Sequence, residues 1–179
     1  MNQKIKKFSI AVVAVAVLVL LDQITKYLAV HHLNPANGGQ DVIIWNGVFR
    51  LQYLENRGAA FGIMQDKKAL LVLTTVLVFA LICWIYHRMP MEKRYRALRC
   101  VCVCVMAGAI GNFIDRMRLG YVVDFFYFEL INFPIFNVAD IYVTCSVILF
   151  LLLFLFYYKD EDLNRILPSK NKEKPTETK

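Results

Sequence analysis

The 179 residues are 58% hydrophobic and have a mean hydropathy of +0.47, more apolar surface than the core of a soluble domain of this length buries. The net charge of +7 could suit a nucleic-acid partner, but the basic residues gather at the ends of apolar runs, the pattern of membrane topology, so no nucleic acid is expected. The surplus apolar surface faces lipid, and the expected fold class is an all-α membrane protein of four transmembrane helices.

Along the chain, Lys4, Lys6 and Lys7 lead into the apolar run 10–21. That start also fits a cleavable signal peptide, but no small-x-small site follows, and after Gln23, Thr25 and Lys26 the apolar character resumes over 27–30. A retained first span at about 8–29 is therefore expected. Residues 30–67 form an outer segment in which 41–45 and 48–54 read as strands joined by Asn46-Gly47, a two-residue hairpin signal. Phe49, Leu51 and Tyr53 alternate with Arg50 and Gln52, so the β-hairpin 41–54 should lay one apolar face on the membrane surface.

Charge-free stretches at 69–86, 100–114 and 141–158 place the other spans at about 68–87, 97–116 and 139–158, each near the roughly 20 residues a bilayer requires. Arg88, Lys93, Arg94, Arg96 and Arg99 fill the link between spans two and three. Lys159 and Arg165 follow span four, and the chain ends in a polar tail, 161–179, whose Lys-rich, Pro-containing end from 168 reads as disordered. An even number of spans puts these groups and the N-terminal lysines on one side. The positive-inside rule makes that side cytoplasmic, leaving 30–67 and the loop 117–138 outside. Phe125, Phe126, Tyr127, Phe128, Phe133 and Phe136 make that loop aromatic enough for the membrane interface, as an anchoring belt. Cys83, Cys100, Cys102, Cys104 and Cys145 lie within or beside spans without a CxxC pair, so neither a disulfide framework nor thiol chemistry is expected.

Ionisable groups near a bilayer are costly, and each needs a reason. The topology gathers Asp22, Asn56, Arg57, Asn112, Asp115, Arg116, Asp124, Asn137 and Asp140 at the outer side. Local explanations exist for several. Asp22 and Lys26 are an i, i+4 pair, Gly108 and Gly111 suit close helix packing, and Asn112 could bond a neighbouring helix. Asn137 reads as the cap of span four with Asp140 three residues on, where the helix dipole favours an acid. The same placement would keep Asp140 charged and leave Asp124, among aromatic rings, to hold a proton. Two carboxylates that share one proton can activate water and protonate a carbonyl, although a spacing of sixteen residues proves little by itself.

The ordered motifs resemble those of the bacterial lipoprotein signal peptidases, the signal peptidase II family of aspartic peptidases. Asp22-Gln23 with Thr25-Lys26 is similar to the first motif, Asn56 to Gly62 to the second, and Gly108 and Gly111-Asn112 with Asp115-Arg116 to the third. Val122-Val123-Asp124-Phe125 and Phe136-Asn137-Val138-Ala139-Asp140 resemble the two catalytic segments. The resemblance implies that Asp124 and Asp140 are the catalytic dyad, that Asn112 and Asn137 position it, and that Asn56 and Arg116 contact substrate backbone. Asp22, Gly108 and Asp115 are implied as structural support. The implied substrates are diacylglyceryl-modified prolipoproteins, cut just before the lipidated cysteine of the lipobox, by a monomer in the bacterial cytoplasmic (inner) membrane. Both termini would be cytoplasmic and the active site near the outer leaflet. Membrane lipids are the surroundings, globomycin-type cyclic peptides the implied inhibitors, and no metal or organic cofactor is implied. The interfacial hairpin and aromatic loop are then candidate clamps over the bound peptide. A proton-coupled transporter is the main rival, but it would want its acids near the midplane rather than at one face.

Overall fold

The computed structural model describes residues 3–58 and 68–166. Helix α1 spans Gln3–His32, α2 Lys68–Arg88, α3 Arg96–Arg118 and α4 Val138–Phe156, and a short α5, Asp160–Asn164, follows. Four helical stretches are long and apolar enough to cross a bilayer: Ile5–His32, Ala69–Arg88, Lys93–Arg118 and Val138–Phe156. This is a multi-pass membrane protein. Large apolar side chains stand exposed along α1, α2 and α4, for example Val13, Leu20, Leu77, Leu81, Leu152 and Leu155, as lipid-facing surfaces require.

Helix α3 is the most enclosed of the four, and α1, α2 and α4 all pack against it. Its small residues make the close approach possible. A Cβ on Gly108 would sit 2.6 Å from the Ala139 carbonyl oxygen and 2.7 Å from Val143 Cγ2, so α4 can lie this near only against glycine. Gly108→Val is expected to lower stability by about 1–3 kcal/mol through overpacking, read as a lower Tm in detergent. An unchanged Tm would mean the two helices separate there at no cost.

The hairpin forms, with Gly47 at φ +70°, and joins β1, Val42–Trp45, to β2, Phe49–Asn56. Its loop is one residue longer than expected: Trp45 pairs with Phe49, and the Val48 amide bonds the Trp45 carbonyl, so Val48 belongs to the turn and not to the strand. The aromatic outer loop adds a third strand, β3, Val122–Tyr127, so the sheet has the order β1-β2-β3. Val123 and Phe125 pack with Ala29 and Leu33 at the C-terminal end of α1, which seats the sheet on the bundle. After β3 the chain turns back, and Phe136 pairs with Phe126 as an antiparallel bridge before α4 begins.

At the opposite end, Ala11, Tyr86, Tyr95, Leu98, Cys102, Met106, Tyr158 and Ile166 form a second core. The start of the tail is fastened here. Arg94 donates to both carboxylate oxygens of Asp162, at 2.6 and 2.7 Å, and its guanidinium holds that carboxyl well below the usual carboxylate range. Tyr95 also bonds Asp162, and Arg165 pairs with Glu92. Residues from 167 onward, with the expected disordered tail end, lie outside the described residues, as do Ala59 to Gly62 of the second motif.

Candidate active site

Five elements, α1, β2, α3, β3 and α4, deliver the polar residues to one place. Along β3 successive side chains alternate, and since Val123 and Phe125 bury against α1, Asp124 between them faces the other way. Asp124 is 1% exposed. Its Oδ2 accepts from Asn56 Nδ2 of β2 at 2.8 Å, and its Oδ1 accepts from Asn137 Nδ2 at 2.6 Å.

Asn137 caps α4 in a reciprocal box. Its Oδ1 accepts from the Asp140 amide at 3.0 Å, and Asp140 Oδ2 accepts from the Asn137 amide at 3.1 Å. The return of the chain through the Phe126–Phe136 bridge is what sets this cap beside β3, so one asparagine touches both aspartates. Asp140 Oδ1 accepts from Asn112 Nδ2 of α3 at 2.9 Å. Burial, and then the charge of Asp140, push the Asp124 carboxyl up to about 7.

Beneath this pair lies a second layer of charge. Lys26, 3% exposed, donates to Asp22 Oδ2 at 3.0 Å, Asp115 Oδ2 at 2.9 Å and Asn112 Oδ1 at 2.8 Å. Asp22 Oδ1 accepts the amide of Ala139, an otherwise unpaired donor in the first turn of α4, at 3.0 Å. Asp115 Oδ2 likewise accepts the Val123 amide at 3.2 Å, fixing the start of β3. Gln23 Nε2 bridges Asp22 and Asp115. A side chain at Gly111 would collide with the Asp22 carboxylate. Arg116 donates to the Gly58 carbonyl at 3.2 Å, joining the end of α3 to the end of β2. All nine site residues expected from the sequence therefore fall in or directly around one cluster. Among the described residues, no group of three or more His, Cys, Asp or Glu side chains is placed to hold a metal.

The model of the family described as signal peptidase (SPase) II matches residues 14–156. The chain belongs to the signal peptidase II family. It is an aspartic peptidase of the membrane. It is 44% identical over 140 residues to the lipoprotein signal peptidase of Caldanaerobacter subterraneus subsp. tengcongensis, covering 78% of this chain and 91% of that protein. It is 40% identical over 151 residues to the lipoprotein signal peptidase of Streptococcus pyogenes serotype M1, covering 84% and 94%. Two solved structures described as bacterial membrane enzymes share the fold. One has a TM-score of 0.70 at 25% identity over 92% of this chain and 95% of that one, the other 0.68 at 27% over 84% and 95%.

Two residues of the cluster in this signal peptidase II chain carry no role in the sequence analysis. Lys26 had a sufficient local explanation as the i+4 partner of Asp22, which it is, but its contacts to Asn112 and Asp115 on α3 are long-range. Gln23 is the other. The available signal was a lysine and a glutamine set inside an otherwise apolar run.

Proposed function

We propose that Asp124 and Asp140 are the catalytic dyad with which this enzyme removes signal peptides from diacylglyceryl-modified prolipoproteins, cutting just before the lipidated cysteine of the lipobox. The observation that carries the reading is the single asparagine, Asn137, bonded to both carboxyl groups, which brings residues of a strand and a helix into one site. Asp124 holds the proton and Asp140 the charge. Asp140 takes a proton from water as that water attacks the scissile carbonyl, and Asp124 donates its proton to the developing oxyanion. The roles then reverse, and Asp140 returns its proton to the leaving amine. Asn112 and Asn137 position the pair. Asn56 and Arg116, at the rim where β2 ends, contact substrate backbone, while Asp22, Gly108 and Asp115 hold the helices around the site.

The substrate's signal segment is itself an apolar helix, suited to lie among the spans, with its lipid fixing the scissile bond at the depth of the dyad. The basic residues at the far end of the bundle support cytoplasmic termini and a site at the outer leaflet of the bacterial inner membrane. The enzyme acts as a monomer and binds globomycin-type cyclic peptides in the same groove. The hairpin and aromatic loop close over the peptide.

Because Asp124 must be protonated to donate, kcat is expected to fall as pH rises through about 7. The check is a profile of kcat against pH on a diacylglyceryl-modified peptide in lipid. A rate that keeps climbing well above that pH would contradict Asp124 as the donor.

A further inference from the structure

Among the described residues, Lys26 is the one buried cation of the cluster that the proposed reaction does not use. An ammonium has three donors and no acceptor. Two are spent on Asp22 and Asp115, whose two carboxylates already outweigh its single charge. The third goes to Asn112 Oδ1 at 2.8 Å, an oxygen that also accepts from Asn137 Nδ2 at 3.1 Å.

This third contact has a directional consequence. A carboxamide can present either its oxygen or its NH2 group to a neighbour, but Lys26 can meet only the oxygen. The Asn112 NH2 is thereby turned toward Asp140 Oδ1, 2.9 Å away. With the amide reversed, Asp140 would face a carbonyl oxygen, an arrangement that favours a protonated Asp140 and moves the shared proton off Asp124.

We infer that Lys26 is a positioning residue of the active site: by fixing which end of the Asn112 amide meets Asp140, it keeps the shared proton of the dyad on Asp124. The inference rests on the dyad reading above. Among the described residues, the charged groups around the pair are Asp22 and Lys26 on α1, Asp115 and Arg116 on α3, and Glu55 and Arg57 near the end of β2, which pair with each other at 3.3 Å.

The test is the kcat–pH profile of Lys26→Arg, Lys26→Met and the charge-balanced double variant Lys26→Met/Asp115→Asn, each shown to be folded by its Tm. Arginine is also a pure donor, so Lys26→Arg should keep the acid limb in place even where kcat drops. Lys26→Met leaves two acids unpaired, and the double variant covers the case in which it fails to fold. In either methionine variant the acid limb should move up by about one pH unit, with KM within about threefold of the parent. If kcat falls equally at every pH with the limb unmoved, Lys26 is a strut and the inference is wrong. A limb in Lys26→Arg that shifts as far as in the double variant also overturns it. Asp140→Asn is measured alongside: turnover in that variant removes the dyad itself, whereas a dead Asp140→Asn with an unmoved limb refutes the role of Lys26 alone.

Discussion

Changing Asp124 or Asp140 to Asn is expected to cut turnover of a diacylglyceryl-modified prolipoprotein by about three to four orders of magnitude while the bundle stays folded. In the proposed reaction each carboxyl group acts once as acid and once as base, so neither partner can cover for the other. The two variants should differ in stability. Asn56 and Asn137 donate to the two oxygens of Asp124, and an asparagine there offers only one oxygen, which leaves one donor facing an NH2 group. Asp124→Asn should therefore show the lower Tm. Asp140→Asn also leaves one of its two donors facing an NH2 group, but Asp140 is only partly buried, so water can take up that donor and the cost is smaller. Near-normal turnover in both variants would remove the dyad.

Asp22→Ala is expected to be the most damaging change to stability in the cluster, about 3–5 kcal/mol, because it leaves Lys26 buried beside fewer partners. Asp22 is 0% exposed and serves three donors on two helices: Lys26 and Gln23 on α1 and the Ala139 amide on α4. The Ala139 amide would lose its acceptor in the same step, and with it the register that presents Asp140. Thermal unfolding in detergent checks this against Asp22→Asn, which keeps an oxygen for the Ala139 amide and should retain part of the loss. A Tm equal to that of the parent in Asp22→Ala would show that solvent or another side chain replaces these bonds.

The helices were legible because a bilayer demands long charge-free runs, and the hairpin because Asn46-Gly47 permits few other turns. Strand β3 was harder to see. Val122 to Phe125 are buried whatever their parity, so the alternation that marks a half-exposed strand is missing and only an aromatic run remains. The convergence of Asp124 with Asp140 depends on that strand and on the Phe126–Phe136 bridge, neither of which leaves a spacing rule in the chain. Asn137 was readable as a cap from local pattern alone, but its second role, reaching across to Asp124, was not. The same holds for Asp162, whose pairing with Arg94 joins segments 68 residues apart and turns the beginning of a polar tail into a fastened helix. Local rules gave Asp22 its partner Lys26 and Asn137 its partner Asp140, and tertiary packing supplied the contacts that gather the cluster.

The most direct test of the account is the mass of the products formed from a diacylglyceryl-modified prolipopeptide in H218O, with the parent enzyme and with Asp124→Asn and Asp140→Asn. One cut is expected, immediately before the lipidated cysteine. The released peptide should carry one 18O in its new carboxylate, the cysteine a free amine, and neither variant should yield product above background. A cut elsewhere, equal cleavage of the unlipidated peptide, or labelled product from both variants would contradict it.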